Sequence, residues 1–418
     1  MRILKIAVTA MAIGLAVGVL TLALSVSVDA AFAGFLQGKW LVFVLPLAGV
    51  ASLAWYRRLH VPLDESTSSV IEASRRSEPV PLALAPAIFV GTCLTVVCGG
   101  SVGKEAAALQ LGGSVASSLG TRFGLHRADY QEMIVMCGLA AALSAVLLAP
   151  VAAFLFTVEV MHRRFRHPLR LAAVALSSAV AYLVMRLFLG GGSLPVSSGS
   201  VDGNVDLMVV AILGVAAAIV GGAFCVSLRT VRRLLSRVPL SPLIRIAVGG
   251  VLIAFLVSVA GMDSYSGTGA VQIGVALSGG SLEGTAFLGK FVLTVLTLAF
   301  GFKGGEVMPV LCIGACLGVT FAGVVHADSA ALAALGMVAL FSACSNCPLA
   351  SCALGIELFG IGMGPASALV AVIAFVCSYR CSLFQSACID WTPAGMVRQM
   401  YARHRRKRGR GAPPVHGA

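Results

Sequence analysis

Apolar residues run through this chain in long stretches separated by short polar breaks. The stretches are Ile6–Val28, Trp40–Trp55, Leu82–Val97, Met133–Val160, Leu171–Phe188, Leu207–Val226, Ile244–Ala260, Phe287–Phe300, Pro309–Val325 and Ala366–Val376. Several reach the roughly 17–25 residues that carry a helix across a bilayer. Others are shorter and interrupted by Gly or Pro, as expected of helices that stop inside a membrane. The pattern predicts an all-α integral membrane protein of broken and tilted helices. Ile6–Val28 follows Arg2 and Lys5 in the manner of a signal peptide. It is longer than a typical signal-peptide core, and more spans follow, so it reads as a retained helix.

The polar breaks repeat. Gly103-Lys104-Glu105 opens one apolar stretch and Gly304-Gly305-Glu306 opens another about two hundred residues later. Glu105 precedes Pro150 by 45 residues and Glu306 precedes Pro348 by 42; each proline is followed nine residues on by a glutamate, Glu159 and Glu357. Upstream, Asp64–Ser69 lies about forty residues before Glu105, and Ser264–Gly269 lies about forty before Glu306. The landmarks predict one membrane domain built of two repeats, residues 1–190 and 204–382. A Gly/Ser-rich linker at 191–203 joins them, and residues 383–418 form a last amphipathic helix and a basic tail. If each half crosses the membrane an odd number of times, the second is inverted relative to the first, an arrangement typical of transporters.

Composition agrees with a bilayer environment: 58% of residues are hydrophobic and 11% charged, and 47 are glycine. The net charge of +13 gathers in clusters at Arg57-Arg58, Arg75-Arg76, His162–Arg166, Arg229–Arg237 and Arg403–Arg410. By the positive-inside rule these mark the cytoplasmic face of a multi-pass plasma-membrane protein, with the C-terminus inside. They read as orientation and lipid-headgroup contacts rather than nucleic-acid binding. Most of the 12 cysteines sit in apolar stretches and read as structural. Cys344 and Cys347 form a C-x-x-C without a second metal-spaced pair, so no metal or cofactor is expected.

Ionisable residues at membrane depth are costly and mark function. A helix that starts inside the membrane leaves its first N–H groups unpaired and carries about half a positive charge there. Such an end holds an anion without a basic side chain. Four ends are candidates, at Gly103, at Gly304, at Ser66–Ser69 and at Ser266–Gly269. Glycine lets a ligand approach the backbone, and the hydroxyls of Ser66, Thr67, Ser68 and Ser69 can add donors. Glu105 can itself occupy such a site when ionised and leave it when protonated, acting as a gate, a proton carrier or both. The alternative is a fixed capping carboxylate, a role equally open to Glu306. Lys104 and Lys303 adjoin the two turns as countercharges or as side chains reaching the interface. Glu159 and Glu357 read as capping or ion-pairing groups. No Ser-His or Glu-His constellation recurs at helical spacing, which argues against an intramembrane enzyme; a non-transporting scaffold is the remaining class.

These motifs resemble the CLC family of chloride channels and anion/proton antiporters. Gly103-Lys104-Glu105 with Leu109-Gln110-Leu111-Gly112 is similar to the family's G-[KR]-E-G-P motif, with Ala106-Ala107 in place of Gly-Pro. Gly301-Phe302-Lys303-Gly304-Gly305-Glu306-Val307 resembles the second turn of the fluoride-exporting branch, as does Ser345–Gly360. The resemblance implies a homodimer with one anion pathway per subunit; no cofactor is expected, and no CBS pair is expected after the basic tail. It makes Glu105 the gating glutamate and places the Glu306 and Val307 amides at the anion site. Met308 stands where that turn usually has threonine. Phe384 aligns with a pathway tyrosine, with Tyr379 nearby. Val160 replaces the internal proton-transfer glutamate of chloride/proton exchangers. The function implied is halide transport, with fluoride/proton antiport leading and a chloride channel or chloride/proton exchanger as the alternative. The predicted anion-binding set is Ser66, Thr67, Ser68, Ser69, Gly103, Lys104, Gly304, Gly305, Glu306, Val307, Met308 and Phe384.

Overall fold

Among the described residues, eight α-helices in each half follow one another in the same order. In the first half they are α1 (Arg2–Gln37), α2 (Leu45–Arg58), α3 (Thr67–Arg75), α4 (Leu84–Val97), α5 (Glu105–Arg122), α6 (Ala128–Leu147), α7 (Pro150–Met161) and α8 (Pro168–Leu189). In the second they are α9 (Leu207–Arg237), α10 (Pro242–Ser258), α11 (Ala270–Leu277), α12 (Ala286–Ala299), α13 (Val307–Val325), α14 (Ser329–Ser345), α15 (Pro348–Phe359) and α16 (Gly364–Cys377). This computed structural model describes residues 2–125, 128–161, 167–189, 205–378 and 381–384. The His162–Arg166 cluster, the linker at 191–203, Tyr379, and the expected last helix and tail beyond Phe384 lie outside the described residues. Met1–Ala387 forms one compact unit, so the two repeats are halves of a single body.

Most apolar stretches become single helices; Trp40–Trp55 opens as a short 3-10 segment, Lys39–Val44, before α2, and one other stretch is divided. Met133–Val160 is two helices, because Leu148 takes φ +53 and Pro150 starts α7, where its missing N–H costs nothing. The same break recurs at Asn346, with φ +58, ahead of Pro348. The stretches forming α14 and α15 are additional to those read from hydropathy alone. Among the described residues, six helical segments are long and apolar enough to cross a membrane, and seven more apolar helices are shorter.

The halves are related by a two-fold, and side chains show it. Glu159, near the end of α7, accepts from the Leu349 and Ala350 amides at the start of α15, at 3.1 and 2.8 Å. Glu357, near the end of α15, accepts from the Val151 and Ala152 amides at the start of α7, at 2.9 and 2.8 Å. Equivalent helices therefore lie side by side and antiparallel, each capped by the other's carboxylate. The repeats are inverted. Small residues set the close crossings within each repeat: Gly112 of α5 meets Gly138 of α6, and Gly314 of α13 meets Gly336 of α14, with no room for a side chain at any of the four. These four helices form the buried centre.

Removing either carboxylate strips two charge-assisted bonds from a helix start. Glu159→Ala and Glu357→Ala should each destabilise the protein by about 1–3 kcal/mol. Thermal unfolding in detergent checks this, and an unchanged Tm for either variant would contradict the capping role.

Candidate functional site

The two Gly-x-Glu turns meet at the centre of the molecule. The Gly103 N–H donates to the Gly305 carbonyl at 2.6 Å, and the Gly305 N–H donates to the Gly103 carbonyl at 2.7 Å. This small antiparallel bridge sets the starts of α5 and α13 against each other. Glu105 is the first residue of α5 and is fully buried. Its Oε2 accepts from the Met308 amide, in the first turn of α13, at 3.2 Å. Its Oε1 has no partner. A carboxylate thus sits at the positive end of a helix from the opposite repeat, where a free anion would sit. Glu306 stands at the N-cap position of the same helix without a side-chain capping bond, and Val307 and Met308 behind it are buried. Pro309 supplies no N–H, so the donors of this turn are confined to the residues before it.

Several expected donors serve other partners. The Gly103 and Gly305 amides are consumed by the bridge and do not face an anion. Gly304 has φ +150 and lies against Val102, which makes it a turn residue. Lys104 is buried and turns to α1, where Nζ meets both Asp29 oxygens at 2.9 and 2.8 Å. Lys303 donates to the Leu63 carbonyl and lies 4.3 Å over the Tyr56 ring. Each lysine therefore holds a neighbouring element in place.

A third helix start joins the group. Ser66 caps α3 in a capping box with Ser69, whose hydroxyls are 3.0 Å apart. The Thr67 hydroxyl donates to the Ala106 carbonyl at 3.3 Å, and the Ser68 hydroxyl to the Leu383 carbonyl at 3.4 Å. All four hydroxyls are engaged within the protein, a correction to the expectation of free donors. Ser66, Ser68 and Ser69 nevertheless line a cavity of about 360 Å³ with Glu65, Glu72, Ala73, Arg76 and Glu78. Phe384 is buried, edge-on to Phe156 at 5.5 Å, and its backbone neighbour Leu383 donates to the Cys344 carbonyl at 2.8 Å. Its ring brings no hydrogen-bond donor to the site.

The fourth end, Ser266–Gly269, is occupied by a residue that sequence reasoning passed over. Lys290 is fully buried, and its Nζ donates to the Tyr265 and Gly267 carbonyls at 3.0 and 2.7 Å. An ammonium ion fills this turn. The signal was one charge inside the stretch Phe287–Phe300.

Residues 48–379 match the family described as voltage gated chloride channel. A chloride/fluoride channel protein of Pseudomonas syringae pv. tomato is 32% identical over 365 residues, spanning 83% of this chain and 78% of that protein. The H(+)/Cl(-) exchange transporter ClcA of Salmonella agona is 28% identical, over 65% of this chain and 61% of its own. The crystal structure of a CLC-type fluoride/proton antiporter is similar with a TM-score of 0.85 at 28% identity, covering 91% of this chain and 97% of that one.

A methyl group at Gly305 would press on the Ala106 amide, whereas one at Gly323 meets open space. Gly305→Ala should therefore separate the two helix starts and lower anion flux by at least about tenfold, with Gly323→Ala unaffected. Flux from liposomes, with Tm measured alongside, checks the contrast; equal flux in the two variants would show that the bridge is dispensable.

Proposed function

This chain belongs to the voltage gated chloride channel family, and on that premise we propose that it exchanges a halide for protons across the membrane, with fluoride as the exported ion. The observation that carries this reading is Glu105: buried, bonded through one oxygen to the Met308 amide, and unpartnered at the other. Ionised, it competes with an anion for the start of α13. Protonated, it loses the charge that holds it there, and a halide can take the vacated amides. A group that binds alternately a helix end and a proton couples the two fluxes. The likeness to a fluoride/proton antiporter and to a chloride/fluoride channel protein supports fluoride.

The basic residues Arg57, Arg58, Arg75, Arg76 and Arg229–Arg237 are proposed to face the cytoplasm, with the basic C-terminus on the same side. Two copies are proposed to pair, each with its own pathway, as the family resemblance implies. A second reading, chloride transport by the same pathway, is favoured by two residues. Met308 and Phe384 bring no side-chain donors, and a small, tightly hydrated anion needs many donors to replace its water.

The test is efflux of fluoride and chloride from liposomes, with internal pH recorded, for wild type and Glu105→Gln. Fluoride leaving as protons enter, with coupling lost in the variant, supports antiport. Chloride flux without fluoride preference moves the protein to the second reading. Flux of neither ion would refute halide transport.

A further inference from the structure

A charge inside a membrane protein is costly and is normally paired with another charge or with backbone carbonyls. Lys290 of α12 is fully buried and, among the described residues, forms no salt bridge. Its ammonium is held by main-chain carbonyls, of Tyr265 at 3.0 Å and of Gly267 at 2.7 Å. Backbone carbonyls converging on one point also replace the water around a monovalent metal ion. The turn is built for this. Gly267 and Gly269 take φ +66 and +89, conformations that glycine adopts at little cost, and the Thr268 hydroxyl accepts from the Ala270 amide at 3.4 Å. Two more buried oxygens of the same segment, Ser266 Oγ and Gln272 Oε1, have no protein partner.

We propose that the turn before α11 is a monovalent-cation site whose resident cation is the ammonium of Lys290, and that this tethered cation fixes the start of α13 that receives Glu105. The consequence for transport rests on the halide reading above; the site itself does not. Three helices meet at Gly269, the residue before α11. A Cβ placed there would lie 3.1 Å from Lys290 Cε of α12 and 2.7 Å from Cys312 Sγ of α13, so both helices close on this one turn. Cys312 is four residues after Met308 and shares its face of α13. The Met308 amide is the one that holds Glu105. Without the ammonium, the Tyr265 and Gly267 carbonyls lose their donor in a buried place, and the turn that braces α13 loses its fastening.

The chemistry of the turn selects a small ion of single charge. The carboxylates of this region are engaged elsewhere, Asp263 with Lys39 and Glu283 with the Tyr265 hydroxyl. Neutral oxygens alone compensate one positive charge, whereas protein sites for divalent ions recruit carboxylates. Phe32 of α1 lies against Gly267 and leaves no room for a Cβ there, so a bulky cation does not fit. Ser264, next to Tyr265, is exposed, which places the turn within reach of a small solute. Methylammonium reproduces the end of the Lys290 side chain. Choline has the same charge, but it is larger and has no N–H to donate.

Tm in detergent, and fluoride and chloride efflux from liposomes at equal pH on both sides, should be compared for wild type, Lys290→Ala and Lys290→Met, each with methylammonium or choline salts. Both variants should lower Tm by about 3 °C or more and anion flux by at least about tenfold. Methylammonium should raise the Tm of Lys290→Ala and restore its flux at least about threefold over choline, leaving wild type and Lys290→Met unchanged. Wild-type Tm and flux in Lys290→Met, which keeps the length without the charge, would overturn the proposal. So would a folded Lys290→Ala that ignores the amine. If Lys290→Ala folds only when prepared in methylammonium, the site stands; if it folds under neither condition, the site is refuted. An amine-dependent Tm with wild-type flux throughout would refute the link to α13. Flux of neither halide in wild type would remove the transport reading, and the Tm response of Lys290→Ala would still decide the site.

Discussion

Two backbone hydrogen bonds between Gly103 and Gly305 fix everything else at the centre of this protein. They hold two helix starts face to face, one from each repeat, so that positive helix ends converge on one place. Like ends repel, and the arrangement needs negative charge between them. Glu105 supplies it in this structure. The proposed competition between carboxylate and anion needs only this geometry and no basic side chain. Both nearby lysines are bound elsewhere, Lys104 to Asp29 and Lys303 to the Leu63 carbonyl.

A symmetric frame carries unequal chemistry. α7 and α15 exchange identical caps, and the glycine crossings of α5 with α6 and α13 with α14 match pair for pair. The polar breaks then diverge. The break before α3 opens into a cavity lined by serines, whereas the break before α11 is closed by the buried ammonium of Lys290. The two-fold frame thus holds an unsymmetrical centre. The first repeat provides the carboxylate of Glu105 and the second the helix start that receives it.

How much was legible in the sequence depends on whether the partner of a residue is local. The all-α class, the repeat and the paired turns were readable because apolar runs, prolines and glycines act on their own segment. A helix start at Ser66–Ser69 was readable for the same reason, though not the capping box it forms. The break inside Met133–Val160 was harder, since Ala149 and Leu148 look like any apolar residues and only Pro150 hints at an end. The fate of the hydroxyls was not readable: Thr67 and Ser68 are bound by carbonyls of Ala106 and Leu383, and a carbonyl has no signature in sequence. Lys290 was missed on the same grounds. Its two acceptors are main-chain atoms, and nothing about Tyr265 or Gly267 as residue types announces them.

Because Glu159 and Glu357 each close a helix of the other repeat, neither half has its full set of hydrogen bonds without the other. During synthesis the first half reaches the bilayer while the carboxylate that completes α7 is some two hundred residues from being made. Until then α7 holds bare amides in a medium that offers no water to satisfy them. The carboxylate of α15 then supplies those bonds, and the carboxylate of α7 caps α15 in return. Assembly of the two repeats is therefore coupled through these caps, and a chain truncated before Glu357 lacks the carboxylate that α7 receives.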